Sequence, residues 1–512
     1  MSDIYDKSSL YKEYKKLCSI IHRSEEYTPL QIVQDMFNNI EQSFPNMWSN
    51  KYTVIIDPCC KTGIFLKYAY YNLFYGLRDS IPNENERHNY IINNMLFGFT
   101  SDEVQTYISR SLLYNNKFNS CNQAGKYNIK LCKTGELTKH IKSILTKDND
   151  LRKINVIIGN PPYQEMIKAK TNTSKSSAKP IYQLIMLEIM KMKSDIDYMS
   201  FIIPARWMTG NATGKNMKEF RHEMFNENHI KKIIDIHDAS ECFPKQGGNI
   251  DGGVCIFLYD KHYNGVCEYS IQKNNNITDT LLRDLKKDSS IAFVRDIKTY
   301  NIVSQVLNKL DNKYRFFFED KDNSIVAAKT PFGLTNRCAL GAKNQSNKNY
   351  LPHELEQNEK YKIKVYGYDY RLDDKKCNDI IYIEDNKDLK LKEVINKYNI
   401  LVPAAYGNNN IADGKVVYPT PIIAEPGSVA TEKYISIGCC DTEQEALSLQ
   451  SYLMTKTIMF LIAAIKNTKN ITRNTFAYVP IMDLNITYTD EYLYKLFDFT
   501  EEQIDYIEKT IK

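Results

Sequence analysis

The chain carries twelve cysteines but no Cys-x-x-Cys pair, and its eight histidines form no ligand-spaced cluster with them. That spacing argues against a zinc site. Cysteines scattered through a large chain with no secretory leader read as reduced thiols of an intracellular protein. The first residues, MSDIYDKSSLYKEYKK, are charged and lack the apolar core of a signal peptide. The longest strongly apolar run, Ile458 to Ile465, falls well short of the ~20 residues that span a bilayer. A strong charge of one sign is also missing: the net charge is +5. Any surface for nucleic acid must therefore come from local clustering. No internal repeat is visible.

What is present is a globular composition, 43% hydrophobic and 25% charged, over 512 residues, enough for two to four domains. The 37 tyrosines fit an AT-rich genome as well as any function. Residues 1–25 read as a polar helical extension. From there to about residue 300, apolar runs of strand length alternate with helical patterns. Thr28-Pro29 looks like a helix start, with Thr as cap and Pro at the first helical position. Strands are expected at Tyr52 to Ile56, Asn94 to Phe99, Asn155 to Ile158, Tyr198 to Ile203, Ile233 to Ile236 and Gly253 to Tyr259, with helices after Gly63, through Ile108 and Leu112, and over Ile181 to Met192. This alternation predicts an α/β fold with a doubly wound, mostly parallel sheet. Residues 301–512 change character, with short strands rich in Tyr, Asn, Gly and Pro and helices at Glu443 to Lys466 and at the C-terminus. They read as a mixed α+β domain.

The sharpest local feature is Val156-Ile157-Ile158-Gly159-Asn160-Pro161-Pro162-Tyr163. An apolar strand runs into two prolines and must stop there, at the carboxyl end of the strand, where open α/β sheets bind ligands. The residue types suit an adenine amino group, whose lone pair is delocalised into the ring. The Asn160 side-chain oxygen and the Pro161 carbonyl can accept its two hydrogens and localise that lone pair. Pro161 and Pro162 pre-order the turn. Tyr163 can stack on a base turned out of the duplex. A plain strand-turn with an exposed tyrosine is the simpler alternative. A second feature, Asp57-Pro58-Cys59-Cys60-Lys61-Thr62-Gly63-Ile64-Phe65, follows the strand ending at Ile56 and opens a helix. It reads as a nucleotide-type cleft whose Asp57 suits a cationic group, or as an ordinary strand-to-helix turn.

In this order the motifs resemble the gamma-group, TaqI-like adenine-specific DNA methyltransferases of restriction–modification systems. Tyr27-Thr28-Pro29 matches that family's upstream Thr-Pro motif, Asp57 through Phe65 its cofactor loop, and Asn160 through Tyr163 its catalytic motif. Lys179 to Tyr182, Ile203 to Trp207 and Gly252 to Cys255 resemble the rest of its catalytic domain. Pro331-Phe332-Gly333, Glu425 to Ser428 and Tyr478-Val479-Pro480 resemble its target-recognition domain. The resemblance spans roughly residues 25 to 512. It implies a Rossmann-like class I methyltransferase domain over 26–300 and a DNA target-recognition domain with C-terminal helices over 301–512. The implied cofactor is S-adenosyl-L-methionine, held by Tyr27, Thr28, Pro29, Asp57, Pro58, Cys59, Cys60, Gly63, Phe65 and Asn160. The implied partner is double-stranded DNA, joined by a separate restriction endonuclease in a restriction–modification system but not in an orphan one.

The sequence departs from the family at three points. Lys61 stands where the family usually has Gly, a residue suited to positive φ. The acid expected for the ribose hydroxyls is Thr100 in the simplest register, with Asp102 and Glu103 close by, which equally suit the first turn of a helix. Glu136 is the candidate for the cofactor adenine. For DNA, Lys168, Lys170, Lys175 and Lys179 lie in a polar segment expected to be a mobile loop. Arg206 and Phe257 are further candidates, with core packing as the alternative for Phe257. Tyr366 to Arg371 and Asn408 to Asn410 read as base-reading loops. Two other readings share the motif. One is a protein glutamine methyltransferase, opposed by the length of chain after the sheet. The other is a bifunctional restriction–modification enzyme, opposed by the short stretch before Thr28. A catalytically silent DNA-binding module is a third, opposed by the intact Asn160 and Tyr163.

Overall fold

Apolar runs bounded by turns form the strands of the N-terminal unit. In chain order they are β1 (Ile55–Asp57), β2 (Leu96–Thr100), β3 (Ile129–Leu131), β4 (Ile154–Gly159), β5 (Gln164–Ile167), β6 (Ser177–Pro180), β7 (Ile196–Pro204), β8 (Ile230–Ile236), β9 (Val254–Asp260), β10 (Cys267–Lys273) and β11 (Asn276–Arg283). Helices α1 (Leu30–Glu41), α2 (Ile64–Gly76), α3 (Glu84–Asn94), α4 (Glu103–Tyr114), α5 (Leu137–Leu145), α6 (Tyr182–Met190) and α7 (Lys215–Phe225) alternate with them. This computed structural model describes residues 28–114, 127–133, 135–145, 153–167, 177–209, 214–244, 247, 250, 252–288, 293–310, 331–340, 349–369, 380–406, 417–466 and 470–512. The chain divides into two units, Met1–Ser290 and Ile291–Lys512.

Nine strands of the first unit make one sheet in the order β11-β10-β8-β9-β7-β4-β1-β2-β3. β1, β2, β3, β4 and β7 run parallel. β9 runs antiparallel to both β7 and β8, and β11 closes the edge as an antiparallel hairpin with β10. The sheet is thus mostly parallel, as the alternation of strands and helices predicts. All of β1, β2, β7 and β9 is buried, because helices cover both faces of a parallel sheet. Each buried Ile, Leu or Phe contributes about 1.5–3 kcal/mol by leaving water.

Three local features differ from expectation. The helix after Thr28-Pro29 begins at Leu30, and Pro29 keeps an extended ψ of 146° with no side-chain cap. β10 and β11 are absent from the sequence reading; their two-residue loop, Asn274-Asn275, holds φ of 52° and 59°, which asparagine tolerates in a tight hairpin. The polar segment after Tyr163 begins and ends in strands, since β5 pairs antiparallel with β6 and Glu165 faces Lys179. Residues 168–176, and with them Lys168, Lys170 and Lys175, lie outside the described residues, as do 1–27.

The second unit has its own cores. A four-stranded sheet, in the order His353–Glu354, Ile380–Ile383, Ile363–Tyr366, Ser428–Ala430, packs around Phe332, Val365, Ile381 and Val429. A three-stranded sheet with Tyr398–Pro403 at its centre packs with helices Ile297–Leu310, Glu443–Met454, Lys456–Ile465, Asp490–Leu496 and Glu501–Thr510 in a second cluster. The helical pattern of Glu443 to Lys466 is broken at Thr455, whose hydroxyl accepts from Ile458 N and caps the second helix. Among the described residues no single helix is long and apolar enough to cross a membrane. The bent pair around Thr455 passes that test only jointly, and most of its apolar side chains lie in the core.

Candidate active site

β1 is hydrogen-bonded to β2 on one side and to β4 on the other. The strand order 3-2-1-4 therefore reverses direction between β1 and β4. At such a switch point the following connections leave toward opposite faces, and a crevice opens beyond the strand ends. Asp57 ends β1, and Asn160 follows β4 directly. The switch point thus puts side by side two residues that are 103 positions apart in the chain.

Close packing at glycine brings the two strand ends together. A Cβ on Gly159 would lie 2.9 Å from Asp57 Oδ1, and one on Gly98 would lie 2.9 Å from Cys60 Sγ. Asp57 is 1% exposed, and its Oδ1 accepts from Cys59 N at 3.0 Å. Burial lifts its carboxyl from 3.8 to about 7, against the lowering effects of the Cys59 N–H and the Lys61 charge. A buried carboxyl that is hard to ionise is one that a cation stabilises. The turn then winds tightly: Gly63 N donates to Cys60 O, Cys60 N donates to Phe99 O, and Gly63 opens α2 at a φ of 82°. Lys61 itself has a φ of 25°, so the position where glycine was expected does demand positive φ, and lysine adopts it. Within this loop Cys59 and Lys61 are half-buried, while Pro58 is buried. Two loop candidates face inward. Cys60 packs against Gly98 and Phe65 belongs to the core cluster, so their side chains support the loop from behind.

The Asn160 side chain is 7% exposed. Its Nδ2 donates to Thr28 Oγ1 at 3.1 Å, and its Oδ1 is buried with no hydrogen-bond partner among the described residues. Pro161 is buried and Pro162 half-buried. The Tyr163 carbonyl accepts from Ile181 N at 3.1 Å. Its ring is half-buried, edge-on to Phe243 at 6.2 Å, with the hydroxyl donating to Ile202 O at 3.4 Å. These contacts tie the turn to β7 and to the segment before α6.

The remaining candidates are dispersed. Thr100 ends β2, with its hydroxyl hydrogen-bonded to Thr106 and to Lys130 O. Asp102 caps α4, accepting from Gln105 N at 2.8 Å. Glu136 lies beyond β3, 4.0 Å from His140 Nε2, with half of its side chain in solvent. Lys179 is exposed on β6, and Arg206 is exposed just past the carboxyl end of β7. Phe257 is 2% exposed and packs on Phe201 in the neighbouring strand, in keeping with the core-packing reading. Trp207 is wholly buried, against Phe220 and Phe225. Tyr27, Tyr370, Arg371 and Asn408 to Asn410 lie outside the described residues.

Comparison with known proteins meets this geometry at the Asn160 turn. Residues 94–243 match the Eco57I restriction-modification methylase family. The chain is similar to restriction-modification methylases. The matched segment is less than a third of the chain and holds Asn160 to Tyr163 and Phe243, but neither Thr28 nor Asp57. An uncharacterized adenine-specific methylase of Mycoplasma pneumoniae is 26% identical over 305 residues, 49% of this chain and 70% of that protein. Among solved structures, the type I restriction-modification system methyltransferase subunit from Streptococcus thermophilus aligns at 13% identity and a TM-score of 0.31, over 51% of this chain and 52% of that one. The DrdV–DNA complex aligns at 11% identity and a TM-score of 0.44, over 85% of this chain and 52% of that one. The chain thus spans about half the length of these solved relatives.

Sequence reasoning missed Gly159, whose lack of a side chain admits Asp57, and Phe243, which braces Tyr163. Gly159 carries a signal in hindsight, since glycine at a strand end beside a motif marks a close approach. Phe243 has none, because it reaches Tyr163 through the fold.

Proposed function

We propose that the chain methylates the exocyclic amino group of adenine in DNA, with S-adenosylmethionine as methyl donor, as the modification activity of a restriction–modification or orphan system. The observation that carries this reading is the buried Asn160 Oδ1, with no hydrogen-bond partner among the described residues, at the switch point where Gly159 meets Asp57. A buried acceptor without a donor costs about 1–3 kcal/mol, and an amino group offers the donor it lacks. The likeness of residues 94–243 to restriction-modification methylases supports the same reaction class.

The residues suit the donor molecule. S-adenosylmethionine supplies a methyl group on a positively charged sulfur. Asp57, buried and hard to ionise alone, would hold the cationic amino-acid end. The tight turn from Cys59 to Gly63 brings backbone close to it. Glu136 and Asp102 are the acids beyond β3 and β2 for the adenosine end, although Asp102 is already engaged as a helix cap. On the substrate side, Asn160 Oδ1 and the Pro161 carbonyl accept the two amino hydrogens and draw the nitrogen toward tetrahedral geometry, which frees its lone pair for attack. As the nitrogen bonds the methyl, the methyl–sulfur bond breaks to leave a neutral thioether, and the nitrogen gives up one proton to solvent. The Tyr163 ring is the surface on which a base turned out of the duplex stacks. Lys179 and Arg206 are exposed cations suited to DNA phosphates, and we assign target recognition to the second unit.

Tritiated donor incubated with mixed-sequence duplex DNA, followed by digestion to nucleosides, tests this. Label is expected in N6-methyl-2′-deoxyadenosine. Label in cytosine, or in protein instead of DNA, would exclude the reading and favour the glutamine-methylating alternative in the second case.

A further inference from the structure

We propose that Thr28 is a positioning residue for catalysis, holding the Asn160 amide so that its oxygen, and not its nitrogen, meets the substrate amino group. The proposal rests on the adenine-methylation reading and adds a role that neither the motif nor that reading requires.

Three observations carry it. The Thr28 hydroxyl accepts from Asn160 Nδ2 at 3.1 Å, across 132 positions of sequence. The other end of that amide, Oδ1, is buried with no hydrogen-bond partner among the described residues. And α1 is capped at Pro29, not at Thr28: the helix begins at Leu30 and Val33 N donates to Pro29 O.

The chemistry explains why such a contact matters. An amide side chain has one accepting oxygen and one nitrogen that only donates. Turned one way, Asn160 accepts a hydrogen from the substrate. Turned the other way, it points hydrogens at hydrogens. Thr28 is 6% exposed and Asn160 is 7% exposed, so water does little to satisfy either end. With the nitrogen held by Thr28, the oxygen is left for the substrate before it arrives, and no reorganisation is needed during transfer. Without the hydroxyl, the buried nitrogen lacks its acceptor, and the amide turns to find another. The resemblance assigns Thr28 to the cofactor; the geometry gives it a partner on the opposite, substrate side.

The test separates these two sides. The full chain and its Thr28→Val and Thr28→Ser variants are compared by kcat for transfer to DNA and by calorimetric Kd for S-adenosylmethionine. Thr28→Val is expected to lower kcat at least ~10-fold while cofactor Kd moves less than ~3-fold, and Thr28→Ser, which keeps the hydroxyl, to stay within ~3-fold of the parent in both. Thr28→Ala replaces Thr28→Val if the latter does not fold. In the Asn160→Asp background both side-chain oxygens accept and orientation is redundant, so Thr28→Val should change kcat by less than ~3-fold there. An unchanged kcat, a loss lying wholly in cofactor Kd, or an undiminished loss in the Asn160→Asp background would overturn the positioning role. If the parent chain itself transfers nothing to DNA, the methylation reading falls and the proposal with it. Transfer by the parent and an unimpaired Thr28→Val overturn the proposal alone.

Discussion

At the scale of residues, two side chains define the site, and each makes a measurable prediction. Asn160→Ala removes the acceptor for the amino hydrogens but leaves Asp57 and its turn in place. Transfer should fall by about 100-fold or more while cofactor affinity, read by calorimetry, stays within a few-fold. Asp57 gives a pH signature. Its carboxyl sits at about 7 in the folded protein against 3.8 ordinarily, so the unfolded chain ionises it first. The free protein therefore loses this contribution to stability as pH rises from about 4 to 7 and is flat above. A cation bound at Asp57 favours the ionised form. Cofactor affinity should consequently rise with pH between about 5.5 and 7, by up to ~10-fold per unit, and Asp57→Asn should flatten that rise. A wild-type affinity independent of pH over this range would separate Asp57 from the cofactor's charge.

At the scale of elements, the cleft depends on strand ends that approach without side chains between them. Gly159→Ala would push a methyl against Asp57 Oδ1, 2.9 Å away, and neither β1 nor β4 can shift within a buried sheet. Cofactor affinity is expected to drop more than ~10-fold, with a stability loss of about 1–3 kcal/mol in urea titration. Lys61 gives the opposite case. It holds a φ of 25° where glycine would hold it freely, so Lys61→Gly should be tolerated, with cofactor affinity changed less than ~3-fold. Strands and helices of this kind were legible in the sequence because β1, β4, β7 and β9 are apolar runs closed by Asp, Pro or Gly. β10 and β11 were not, because β11 is exposed along most of its length and alternates too weakly to announce a strand. Thr28 was misread as a cap because the local pattern is a good cap and the competing partner lies 132 positions away.

At the scale of the molecule, two units carry separate cores. Phe497 is wholly buried in the second. Phe497→Ala should destabilise that unit by about 3–5 kcal/mol, split or lower one calorimetric transition, and leave cofactor affinity within about twofold, since every residue assigned to the cofactor belongs to the first unit. A parallel loss of cofactor binding would show that the two units unfold as one. What the sequence determined by itself was the alternation that specifies a mostly parallel sheet, the stop of β4 at two prolines, and the chemical character of Asn160, Pro161 and Tyr163, because these follow from residue types over short spans. The tertiary structure alone decided which strand ends meet, that Asp57 and Asn160 share the switch point, that Phe257 and Cys60 turn into the core, and that Thr28 holds Asn160. Those outcomes depend on strand order and packing between distant segments, which no local pattern encodes.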